Sequence, residues 1–154
     1  MLDHLYPFAL VLHNVWRWIA VLGVLAATTV SFLGWLARKP RTPTSDRVAT
    51  IAILVMDVQL LLGLALYVGL SPLSRAMFAD PGAAMQTRDI RFFGVEHPFL
   101  MILATAAVHV GKVRSARMIG AEAAKQRAGA VWYALSLLLI LAGTPWWRPL
   151  LRGF

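Results

Sequence analysis

Residues 7–37 read PFALVLHNVWRWIAVLGVLAATTVSFLGWLA. After Pro7 no proline interrupts this stretch, and its only ionisable side chains are His13 and Arg17. About 20 mostly apolar residues, rising about 1.5 Å each as an α-helix, cross a hydrocarbon layer about 30 Å thick. The stretch is longer than that, so it is expected to be a transmembrane helix. An imidazole and a guanidinium placed inside it then require a reason.

The rest of the chain repeats the pattern. Further apolar runs lie at about 49–70, 92–113 and 122–144, the last with an apolar core of only Val131 to Gly143 preceded by the helix-forming stretch GAEAAKQRAGA. Of the 154 residues 59% are hydrophobic and 14% charged, and mean hydropathy is +0.67. A soluble domain of this size needs more polar surface than that. The expected fold is all-α: a single integral membrane domain, an up-down-up-down four-helix bundle. Ser45 or Asp46 is the expected N-cap of the second helix, Ser71-Pro72 ends it, and a short interfacial helix is expected around Leu73 to Phe78 in the following loop. Thr144-Pro145-Trp146-Trp147 closes the fourth with an aromatic belt.

Charge sets the expected orientation. Arg38, Lys39, Arg41, Arg47, Lys112, Arg114, Arg117, Lys125 and Arg127 lie in the first and third loops; Arg75, Arg88 and Arg91 lie in the second. The positive-inside rule puts the richer side in the cytoplasm and both termini outside, which in a bacterium is the periplasmic side of the inner membrane. The net charge of +8 then belongs to loops on an anionic leaflet, and no nucleic-acid partner is expected. Absence of cysteine excludes disulfides, thiolate metal sites and covalently attached c-type haem. There is no nucleotide loop, no nucleophile beside a base and no catalytic carboxylate pair, so nothing points to a hydrolase or transferase.

Ionisable residues at membrane depth are functional candidates. His13 and His97 enter from the outer side on the first and third helices, each about 8 Å below the boundary by helical rise. Matched depth on separate helices allows the two imidazoles to clamp one flat cofactor, and bis-histidine haem b is the candidate. Trp16, Phe93 and Phe99 are positioned to line its ring, and Gly94 to admit it closely. A helix-start histidine beside Pro98, and a histidine bonded to a nearby carbonyl, are the plainer alternatives. Arg17, one turn below His13, and Asp57 reach mid-membrane and are expected to pair; the pair either fixes helix register or, with Gln59, serves as a proton or quinone-headgroup site. Arg17 is alternatively a counter-charge for a haem propionate. Glu96 is expected either to bond His13, to exchange protons with the outside or to favour the positive end of its helix. His109, about 18 Å beyond His97 on the cytoplasmic side, is too deep to share its ligand and has no histidine partner for a second haem, so it is expected to be an interfacial histidine near the basic third loop. His4 and Tyr6 stand where they can cover the site's outer end.

The runs HNVWRW (13–18), QLLLGLALY (59–67), RFFGVEHPFLMI (91–102) and LLLILAGTPW (137–146), with SDR (45–47) before the second helix, resemble a family of small four-helix bacterial membrane proteins regarded as cytochrome b-like. The similarity spans nearly the whole chain in order, and its most specific element is EHP behind an aromatic pair. It implies a membrane protein binding haem b, with His13 and His97 as ligands. One departure is Asp57, at a position where the pattern often has histidine. The expected function is electron transfer, with a quinone, an outer-side electron carrier or a larger respiratory or photosynthetic complex as partner. The other expectation is a non-catalytic accessory subunit, whose buried polar residues fix helix packing and whose histidines touch neighbouring membrane-protein subunits.

Overall fold

The structure is a computed structural model and describes residues 4–149. It is all-helical, with no strand among the described residues. The α-helices are α1 (Leu5–Leu36), α2 (Pro43–Ala65), α3 (Pro72–Ala79), α4 (Pro81–Ala84), α5 (Arg88–Arg91), α6 (His97–Arg117) and α7 (Glu122–Ala142). A π-helical turn, Leu66–Leu70, continues α2, and a second, Phe92–Glu96, joins α5 to α6. The short α3 covers the stretch Leu73 to Phe78, where a short helix is expected from the sequence.

Three segments, Leu5–Leu36, Pro43–Leu70 and Arg88–Arg117, are long and apolar enough to cross a membrane. Four were expected. α7 falls short because Lys125, Gln126 and Arg127 occupy its opening turns and leave apolar residues only from about Val131 onward.

α1 packs against α2 and α7, and α6 packs against the same two, so α1 and α6 face each other diagonally. The inward stripes explain this arrangement. α1 buries His13, Ala20, Val24, Ala27 and Ser31; α2 buries Ser45, Ala49, Ala52, Met56 and Gln59. α6 buries Ala104, Val108, Gly111 and Ser115, and α7 buries Gln126, Gly129, Tyr133, Ser136 and Ile140. Steps of three, four and seven keep one seam of each helix toward its neighbours. The seams are mostly small residues, which let backbones come close. At Gly111 a Cβ would stand 2.6 Å from Cε1 of Tyr133, a wholly buried ring. Large apolar side chains face outward instead: Phe8, Leu22, Leu61 and Leu138 are each at least 62% exposed.

The loops are held by polar contacts. Thr42, not Ser45 or Asp46, is the N-cap of α2. Pro43 suits the first helical turn, where a missing N–H costs nothing. Ser45 then stands three residues after the cap: its backbone N–H donates to Thr42 Oγ1 (3.2 Å) and its Oγ accepts from the Thr42 N–H (2.9 Å). Arg41 ties this loop to two other elements. Its backbone N–H donates to Glu122 Oε2 (3.2 Å), and its guanidinium bonds Ser115 and Asp46.

Candidate cofactor site

A cavity of about 390 Å³ lies between α1, α2 and α6, with α3 along its edge. Its lining includes His13, Gln59, Gly63, Leu73, Phe93 and His97, and this volume lies within the range of small-molecule and cofactor sites.

His97 is set by α7. Pro145 cannot continue that helix, so the Gly143 carbonyl has no partner in it. That oxygen lies 2.7 Å from His97 Nδ1. A carbonyl only accepts, so Nδ1 carries the proton and the lone pair stays on Nε2. The His97 ring sits 5.8 Å from both Phe92 and Phe93. Phe92 is backed by Trp147 at 4.6 Å. The segment after α7 is tied down by Arg148 Nη2 and Trp147 Nε1 donating to Asp89, at 2.8 and 3.1 Å.

His13 is set by α2. The Gln59 amide nitrogen lies 3.2 Å from His13 Nε2 and 3.2 Å from the His13 carbonyl. An amide nitrogen only donates, so Nε2 of His13 accepts and its proton sits on Nδ1. That Nδ1 and the Gln59 Oε1 are buried without a hydrogen-bond partner among the described residues, an arrangement that costs free energy unless a ligand answers it. Room for the ring comes from Gly63, where a Cβ would stand 3.2 Å from His13 Cε1.

The two imidazoles meet, with ring centroids 6.2 Å apart and planes at 76°. Matched depth on diagonal helices therefore does bring them together. Two imidazoles sharing one ion at about 2 Å metal–nitrogen, with about 1 Å more to each ring centre, need centroids about 6 Å apart. Both rings are in the Nδ1–H tautomer, as metal-ligating histidines commonly are. No group of three or more His, Cys, Asp or Glu is placed to hold a metal among the described residues. A two-imidazole site suits an ion whose remaining positions are filled by a macrocycle, so the donor set fits haem once Gln59 releases His13 Nε2.

Other expected site residues are placed differently. Asp57 does not pair with Arg17; its Oδ1 lies 2.8 Å from His109 Nε2 on the outer side of α2 and α6. Gln59 occupies the inward stripe of α2, and a residue two positions away is rotated about 200° from it. Arg17 stays by the cavity, with Nη2 3.3 Å from Asn14 Oδ1. Glu96 does not reach His13; it accepts from Arg91 Nε at 2.8 Å. Gly94 admits Met77 of α3, whose Cγ lies 2.7 Å from where a Cβ would be, and its carbonyl accepts from Tyr67 Oη at 2.8 Å. Trp16 does not line the cavity; its Nε1 donates to the Val55 carbonyl at 3.0 Å and joins α1 to α2. Phe99 is 61% exposed on the outside. Phe93 and Tyr6 do line the cavity. His4 precedes α1 and is exposed. Sequence reasoning missed Gly63, Phe92 and the Gly143 carbonyl; the Gly-Thr-Pro run after α7 was the available signal for the last.

Comparison of the chain with protein-family models, curated proteins and solved structures gives no match. The chemistry of the site rests on its geometry.

Proposed function

We propose that this chain is a four-helix membrane protein that binds one haem b between His13 and His97 and transfers electrons. The observation that carries the proposal is the pair of imidazoles, His13 buried and His97 partly so, both in the Nδ1–H tautomer and 6.2 Å apart at a largely apolar cavity. Membrane insertion is supported by the three long apolar helices and by large apolar side chains facing out while small and polar ones face in. Water would penalise that surface, and lipid accepts it. α7 is the fourth span, apolar from Val131 and extended at its start into the cytoplasm. Loop charge puts both termini on the periplasmic side of a bacterial inner membrane.

Haem b supplies reversible one-electron chemistry when bound. The chain's own residues do the rest. His97 and His13 would hold the haem iron through their ring nitrogens, and the Gly143 carbonyl orients His97 and raises its basicity. Phe92, Phe93 and Met101 exclude water from the imidazoles. Arg17 and Arg148, both lining the cavity, offer positive charge to acidic substituents of the cofactor. The electron partner is a membrane quinone, an outer-side carrier or a neighbouring subunit. The test is an absorption spectrum of detergent-purified protein, oxidised and then dithionite-reduced. A sharp reduced α-band is expected; a featureless spectrum after expression with ample haem would overturn the proposal.

A further inference from the structure

The outer face of α2 and α6 carries an ionisable pair where the proposed bilayer lies. Asp57 and His109 keep 39% and 48% of their side chains exposed. On α2, Leu54, Asp57 and Leu61 form a stripe at steps of three and four; on α6, Ile102, Ala106, His109 and Val113 form another. All four large apolar residues among them are at least 47% exposed. The face is therefore apolar with one polar pair between its ends. A half-exposed carboxylate and imidazole facing lipid are costly, because hydrocarbon offers neither a donor nor an acceptor.

We infer that this face is the contact surface of a two-fold symmetric dimer of the chain, in which Asp57 of each copy meets the partner's His109. The occupant follows from complementarity. Asp57 Oδ1 and His109 Nε2 are used within the chain; Asp57 Oδ2 and His109 Nδ1 bond nothing among the described residues. With one proton shared between Asp57 Oδ1 and His109 Nε2 and one on His109 Nδ1, each copy is left with one acceptor and one N–H donor. A two-fold axis brings residue i against j and j against i. Each Nδ1–H then donates to the partner's Asp57, closing a ring of four hydrogen bonds with no net charge. An unrelated helix would have to supply a donor and an acceptor at the same depth; a second copy carries both. Ala106, one turn from His109, lets the helices approach.

This inference rests on the proposed membrane insertion and not on haem. The chain has no cysteine, so single cysteines report contacts cleanly. Ala106→Cys on the proposed face and Leu138→Cys on the outer side of α7 are compared by oxidative cross-linking in membranes. Energy transfer between differently labelled wild-type copies in vesicles is measured alongside. Expected are disulfide-linked dimers from Ala106→Cys only, and energy transfer that persists on lipid dilution. Asp57→Leu and His109→Leu should each lower energy transfer severalfold, and the exchange Asp57→His with His109→Asp should restore it. Equal cross-linking of both cysteines, loss of transfer on modest dilution, or cross-linking of Ala106→Cys to a different protein alone would overturn the dimer. Alkaline extraction of the same membranes reads insertion separately, and release of the chain would overturn insertion and this inference together. A missing haem spectrum would leave the dimer result standing.

Discussion

Gln59 holds the lone pair that iron would need. Its amide nitrogen lies 3.2 Å from His13 Nε2 and 3.2 Å from the His13 carbonyl, so haem binding exchanges the first contact for ligation and leaves the second in place. A neutral hydrogen bond contributes about 1 kcal/mol net. Gln59→Leu removes it from the haem-free protein and replaces the buried amide with an apolar side chain of similar size, also deleting an Oε1 that has no partner among the described residues. The wild-type protein gives up that bond on binding, and the variant has none to give up. With a tenfold change in affinity for every 1.4 kcal/mol, the variant should bind haem about fivefold more tightly. Haem titration into purified haem-free protein, followed at the Soret band, gives both dissociation constants. Binding tenfold weaker in Gln59→Leu would show that Gln59 supports His13 as a ligand instead of competing for it, and would refute this reasoning.

Further outcomes follow from close approaches. Gly63→Val places a branched side chain where even a Cβ stands 3.2 Å from His13 Cε1, so the His13 ring is displaced; haem affinity should fall at least tenfold by the same titration, while Gly69→Val, which meets nothing within 4 Å, should not change it. Gly111→Ala sets a methyl 2.6 Å from the ring of Tyr133, which has nowhere to move. Overpacking of this kind costs about 1–3 kcal/mol, measurable as a lower midpoint in detergent denaturation with the haem spectrum unchanged.

Rise per residue is a dependable ruler along a straight helix, which is why the sequence alone matches His13 and His97 in depth and their rings meet. Azimuth was the harder coordinate. Depth alone pairs Arg17 with Asp57, yet the stripe Ala49, Ala52, Met56, Gln59 points Gln59 inward and Asp57 out. The same stripe was present in the sequence as small residues at steps of three and four. It was masked because large apolar residues, the usual marker of an interior, lie outside here. Glu96 and Gly94 depart from their expected directions for another reason. The π turn Phe92–Glu96 shifts the rotation of every residue it contains, and nothing in the sequence announces it. The α2 cap was readable from Thr42-Pro43 with Ser45, because proline favours the first helical turn and so marks the residue before it as the cap.

The pairing of His13 with His97 is tested most directly by reconstitution with haem b of the wild type beside His13→Ala, His97→Ala and His109→Ala, each read as an oxidised and reduced spectrum with a pyridine haemochrome assay. The wild type and His109→Ala should show a sharp reduced α-band at about one haem per chain, the sign of six-coordinate haem. His13→Ala and His97→Ala should each lose the cofactor or turn high-spin. Retention of an unchanged low-spin spectrum in either of those two variants, or its loss in His109→Ala alone, would contradict the site.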